Sequence, residues 1–125
     1  MKSFNLEEAI SITEEYGALL VQKSLRSGQS IIHEGSVVVI GDVNPGAEVI
    51  SGGNIVIMGA LRGVAHAGNN GNTEAVVIAF RLQPTQLRIA DYITRSPDAD
   101  SDEAEYPEIA RVVGKSITIE TLKLT

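Results

Sequence analysis

The chain repeats itself at a step of eighteen residues. Laid on itself at that step, it sets Gly17 on Gly35 and Gly53, Leu19 on Val37 and Ile55, Val21 on Val39 and Ile57, and Leu25 on Val43 and Leu61. Gly28 likewise meets Gly46, Gly41 meets Gly59, Ile31 meets Val49 and Ile32 meets Ile50. A finer step of six runs through the same stretch, where Leu19, Leu25, Ile31, Val37, Val43, Val49, Ile55, Leu61 and Ala67 are all apolar. In a chain that is 43% hydrophobic, nine such hits in one frame arise by chance with a probability of about 0.05%. Six residues suit one short strand and its turn, so three of them make one three-sided coil. The repeat therefore predicts an all-β fold, a three-sided parallel β-helix (β-solenoid) of about eighteen residues per coil. Its coils would stack about 4.8 Å apart through parallel hydrogen bonding.

Glycine placement agrees with many sharp corners. Eleven of the twelve glycines lie between Gly17 and Gly71, around the β-branched runs 37–40 and 55–57. Those runs are too short for helices and are bounded by glycine, which marks them as strands. One coil buries about six apolar side chains, too few to offset the ordering of eighteen backbone residues at about 1–2 kcal/mol each. Coils must share a core and a ladder to stand. The period then shifts: residues 75–82 resemble 54–61 at an offset of twenty-one, with an insertion around Asn69-Asn70-Gly71. Leu87 and Ile89 supply the next side, and 109–113 and 116–122 read as terminal strands. Residues 1–16 read as an N-terminal tail or interdomain linker remnant, where Asn5 and Glu8 could cap a short helix, and 17–125 as the β-helix domain. Periodicity alone leaves the hand open. Parallel crossovers are right-handed in about 98% of cases, but the hexapeptide solenoids of acyltransferases are left-handed.

Composition excludes several function classes. There is no cysteine, which removes disulfide scaffolds, thiolate metal sites and cysteine catalysis. The net charge of −6 argues against nucleic acid as the main partner, since phosphates need clustered Lys and Arg. The longest apolar stretch, 75–80, is far short of a membrane span, and the N-terminal residues hold no apolar signal core, so the expected location is cytoplasmic. Six of the sixteen acids fall in 97–108, a segment that reads as a surface loop. Asp98, Asp100 and Asp102 alternate as calcium ligands do, but the glycine and terminal glutamate of a calcium loop are missing.

Catalytic signals are thin. His33 and His66 are thirty-three residues apart, out of step with the coil, so they do not face one site. Gly114-Lys115-Ser116 ends like a phosphate loop, but Ile109 stands where glycine is needed and a strand pattern follows. No nucleophile, base and orienting group occur together, so no enzyme activity and no cofactor are expected. Corners are more informative. Arg26-Ser27-Gly28-Gln29, Asn44-Pro45-Gly46-Ala47 and Arg62-Gly63 occupy successive corners, and stacking would align Arg26, Asn44 and Arg62 on one edge. That edge is either turn chemistry alone or a polar docking ridge with arginine anchors.

The stretches LRSGQ (25–29), GDVNPGAEV (41–49) and GGNIVIMGALRGVAHAG (52–68), with the asparagine-rich insertion, resemble the C-terminal domain of MinC. That family comprises bacterial septum-site-determining inhibitors of cell division. The resemblance implies a right-handed β-helix that forms a homodimer and binds the membrane-associated ATPase MinD in its ATP-bound state. It also implies a contribution to binding the tubulin-like protein FtsZ, and recruitment from the cytoplasm to the inner face of the plasma membrane only indirectly, through MinD. In the family the RSGQ corner contacts MinD, which marks Arg26, Ser27, Gly28 and Gln29; the next corner marks Gly46, and Arg62 is carried as a neighbour of that site. The family's N-terminal domain, which disrupts FtsZ polymers, is not visible in these residues. An alternative reading from the six-residue step is a trimeric left-handed hexapeptide-repeat acyltransferase with His66 as base, and a third is a self-assembling filament protein.

Overall fold

The computed structural model describes residues 17–95 and 106–122. The readings of residues 1–16 and of the calcium-like spacing at Asp98, Asp100 and Asp102 lie outside them. Every regular element described is a strand. The first sheet receives β1 (Leu19–Val21), β3 (Val37–Val39), β5 (Ile55–Leu61) and β7 (Val77–Leu82), and the second receives β2 (Ser30–His33), β4 (Glu48–Ser51), β6 (Val64–Ala67) and β8 (Gln86–Ile89). Within each series the strands run parallel, and consecutive strands in the chain fall in alternate sheets. The third side is narrow: Leu25 bridges Val43, and Val43 bridges Leu61. The predicted three-sided solenoid is the observed fold, with about four coils.

Two coils keep the eighteen-residue step on every side. Leu19 lies beside Val37 and Ile55, and Ile31 beside Val49. The six-residue frame ends earlier than the sequence suggests. Val49 pairs with Ala65, sixteen residues on, and not with Ala67. The cause is the corner between the third and second sides, where Arg62-Gly63 replaces the four-residue turn Asn44–Ala47. Ala67 is itself apolar and fully buried, so the broken frame still looked intact. The later insertion is also larger at first than the predicted offset of twenty-one. Ile55 pairs with Val77, twenty-two residues on, and the offset returns to twenty-one at Ala60–Arg81 and Leu61–Leu82. Met58 and Gly59 face Phe80 alone, a β-bulge in β5 that absorbs one residue.

The core is a narrow column of inward side chains, among them Val39, Val49, Ile55, Ile57, Leu61, Leu87 and Ile89, all with zero exposure. Ser51 is the polar exception: its buried hydroxyl donates to the Gly35 carbonyl at 2.6 Å and accepts from the Gly53 amide at 3.0 Å. It thereby satisfies backbone groups where the corner turns inside the core. The sequence repeat gave no sign of this role.

At the C-terminal end the parallel order stops. β9 (Tyr92–Thr94) turns back antiparallel on β8, and β10 (Glu108–Val113) lies antiparallel on β7 with β11 (Ser116–Thr121) beyond it. Gly114 and Lys115 are the two-residue loop of that last hairpin, with Gly114 at φ 64°, so the phosphate-loop resemblance is hairpin turn chemistry.

Candidate functional site

The corner singled out in the sequence is built from two stacked turns. In the first, the Gln29 amide donates to the Arg26 carbonyl at 2.9 Å and Gly28 sits at φ 89°. In the second, the Ala47 amide donates to the Asn44 carbonyl at 3.0 Å and Gly46 sits at φ 86°, after Pro45. Both are turns of the type that needs positive φ at the third residue, which glycine supplies without strain. The Gly28 amide donates to the Gly46 carbonyl at 2.9 Å, which locks one turn onto the other. A side chain at Gly46 would run into the Ser27 hydroxyl, so the lower turn depends on the bareness of the upper one.

Asn44 ties its coil to the one before: its backbone amide and its Nδ2 both donate to the Leu25 carbonyl, at 3.1 and 3.0 Å. In the third coil the Arg62 amide donates to the Val43 carbonyl at 2.8 Å. The register thus brings Arg26, Asn44 and Arg62 to one edge, as the repeat predicts. The fourth coil adds residues that the sequence reading passed over. Leu82 lies over Leu61, so Gln83 follows Arg62 in the same row, and Thr85 Oγ1 donates to the Arg62 carbonyl at 2.8 Å. The offset of twenty-one that placed Leu82 would have placed Gln83 as well.

The chemistry of this edge is cationic and polar. Arg26 is exposed and Arg62 half-buried, and neither guanidinium has a hydrogen bond or ion pair among the described residues. Two sheet steps separate them, about 10 Å. Arginines with no partner among the described residues, held on a rigid edge in a chain of net charge −6, are suited to gripping another protein.

The histidines do not form a site. His33 shares its register position with Ser51, whereas His66 lies in the adjacent column beside Ile50. His33 Nε2 lies 3.1 Å from the Gly17 carbonyl, and His66 Nε2 lies 2.9 Å from that of Ala90. Among the described residues, no group of three or more His, Cys, Asp or Glu could hold a metal ion.

These features define a class: a β-solenoid scaffold that displays a fixed polar ridge. The chain belongs to the family described as septum formation inhibitor MinC, C-terminal domain, which it matches over residues 19–122. A probable septum site-determining protein MinC of Heliobacterium modesticaldum is 61% identical over 102 residues, 82% of this chain and 35% of that protein. The corresponding protein of a Thermoanaerobacter species is 49% identical over 122 residues, 98% of this chain and 56% of that protein. Among the first curated relatives the chain spans between 35% and 60% of their length. A solved chain of the MinC:MinD cell division protein complex of Aquifex aeolicus superimposes with a TM-score of 0.80 at 41% identity, covering 86% of this chain and 88% of that one.

Proposed function

We propose that this chain is a non-enzymatic division-inhibitor adaptor that docks ATP-bound MinD on the corner formed by Arg26, Ser27, Gly28, Gln29, Gly46 and Arg62. In this reading the docked pair reaches the inner face of the plasma membrane through MinD and helps restrict the FtsZ ring to midcell, with FtsZ as a second partner. The observation that carries the reading is the ridge itself: two guanidiniums with no partner among the described residues, Arg26 on a turn locked to the next by the Gly28–Gly46 hydrogen bond and Arg62 on the following corner, tied to Val43. The Aquifex aeolicus relative, a chain of a MinC:MinD complex, supports the choice of partner. Acyl transfer is not favoured. His66, the base it would need, is bonded to a backbone carbonyl, and family membership points elsewhere.

The reading also includes a homodimer formed by the outer surface of the first sheet. Leu20, Val38, Val56, Ile78 and Ile109 share one outward column, and Ile40, Met58 and Phe80 lie beside it at 44, 46 and 48% exposure. No charged side chain interrupts these positions. An apolar face of this kind is stable in water when it is covered, and a copy of the same face is its natural cover.

The docking test is co-sedimentation with cognate MinD, ATP and phosphatidylglycerol-containing vesicles. Arg26→Ala is expected to lose most MinD-dependent sedimentation while keeping the parent's thermal midpoint. Binding equal to the parent would remove the corner assignment.

A further inference from the structure

The two ends of the solenoid are finished differently. At the C-terminal end Val112, Ile117 and Ile119 of the hairpin pack against the core column. At the N-terminal end no described strand lies outside β1 or β2, which are the first members of their sheets. The inward positions there are only partly covered by the described residues. Leu19 is 36% exposed, whereas Val37 and Ile55 in the same column are at 0%. Ile31 is half-buried, whereas Val49 beside it is fully buried. The end of such a column needs a cap that is apolar inside and polar outside, and two open strand edges invite pairing with another chain.

We infer that residues 1–16 are this cap, laid over the N-terminal end of the column in the same chain. Three observations commit the surface to that occupant. First, the segment does not suit a further coil. Carried back by eighteen, the repeat sets Val21 on Ser3, Leu25 on Glu7 and Ile31 on Thr13, which would put polar side chains in the column. The backbone agrees: Gly17 has φ 66°, whereas its repeat equivalents Gly35 and Gly53 are not in that region, so the chain leaves the coil path at Gly17. Second, the point of departure is fixed at the open end. His33 Nε2 donates to the Gly17 carbonyl at 3.1 Å, in the place where the Ser51 hydroxyl donates to the Gly35 carbonyl one coil on. Third, the segment has one apolar side. Phe4, Leu6, Ile10 and Ile12 fall on alternate positions, interrupted at Glu8, with Asn5, Glu7, Ser11 and Thr13 between them. Its length suffices: eight extended residues reach about 26 Å, more than the roughly 20 Å of one six-residue side of the prism. The inference is independent of the docking reading, since it concerns the end of the prism and not its corner.

The test uses the full chain. Leu6→Ser, Ile10→Ser and Ile12→Ser together remove the apolar side, and Asn5→Ala, Ser11→Ala and Thr13→Ala together alter the other. The first set is expected to lower the thermal midpoint by several degrees and to speed hydrogen exchange of the β1 and β2 amides about tenfold or more, with β5 to β7 unchanged. The second set is expected to match the parent in both measurements. Parent-like midpoint and exchange in the first set, or equal losses in the two sets, would overturn the assignment. A second measurement separates the chain's own segment from that of another copy. The chain has no cysteine, so Glu7→Cys carries a single nitroxide label. The label is expected to broaden the amide signals of β1 and β2 in the labelled chain. It is expected to leave them sharp in unlabelled, isotope-enriched chains mixed with labelled ones. Broadening between chains would show that a second copy covers the end, and no broadening in either sample would show that the segment lies elsewhere; each result overturns the inference.

Discussion

Gly28 and Gly46 occupy the same turn position one coil apart, yet their surroundings set different costs for a side chain. Both have φ near 90°, a region that L-residues with a Cβ rarely adopt. Around Gly28 a Cβ would meet nothing within 4 Å, so Gly28→Ala carries conformational strain only. That is worth about 1–2 kcal/mol, or a drop of several degrees in the thermal midpoint. At Gly46 the added Cβ also overlaps the Ser27 hydroxyl and Cβ. Gly46→Ala is therefore expected to lower the midpoint further than Gly28→Ala, and Ser27→Gly in the same chain to recover part of the difference. Equal midpoints for the two single variants, measured by circular dichroism on heating, would mean that Ser27 moves aside at no cost. The opposite substitution is favourable elsewhere. Ala90 holds φ 53° although it has a Cβ and is only 4% exposed. Ala90→Gly relieves left-handed strain at the expense of some unfolded-chain entropy, and the net expectation is a stabilisation of about 0.5–1 kcal/mol. An unchanged or lower midpoint would contradict it.

The terminal hairpin shows what an element contributes beyond its own residues. β10 covers the last coil of the first sheet, with Ala110 fully buried opposite Val77. Ala110→Asp would place a carboxylate against the core, detach β10 and leave β7 as an open edge. The expected result is a loss of several kcal/mol in denaturant unfolding, together with concentration-dependent light scattering; a soluble protein of parent stability would show that β10 is not a cap. Strand direction here was not legible in the sequence. Ile117 and Ile119 alternate as they would in either a parallel or an antiparallel strand, so the pattern gave the strands and not their polarity. The coils before it were legible because equal steps leave equal residues: Leu19, Val37 and Ile55 meet one packing requirement three times. The slip at Arg62-Gly63 was hidden for the same reason, since Ala65 and Ala67 both satisfy an inward position. At the candidate site, the row of Arg26, Asn44 and Arg62 followed from the repeat, and turn chemistry exposed Gly28 and Gly46. The Thr85 hydroxyl bond to the Arg62 carbonyl depends on side-chain direction, which no periodicity encodes.

For the molecule as a whole, the two sheets present unlike outer surfaces. The second sheet mixes Ser30, Glu48 and Gln86 with Ile32, Ile50, His66 and Arg88 along its outward rows. The first is apolar from Leu20 to Ile109 and ends at the Arg111–Glu120 ion pair, 2.8 Å long and about half exposed. A self-complementary contact on that face would turn the two docking corners of a dimer outward, since the corner row lies off the first sheet's outer surface. In the proposed dimer, two corners on one rigid body would engage neighbouring MinD molecules with an avidity that neither corner has alone. Met58→Glu and Phe80→Glu place charge at half-exposed positions of the face and leave the core column untouched. Each is expected to halve the mass found by light scattering on a sizing column and to keep the β-sheet circular dichroism. Sedimentation on MinD-coated vesicles should then weaken at low MinD density and approach that of the parent at high density, as the loss of bivalency requires. A dimer that persists in both variants would place the interface elsewhere on the prism. Uniform loss of MinD binding at every density would instead mean that the face and the corner form one site.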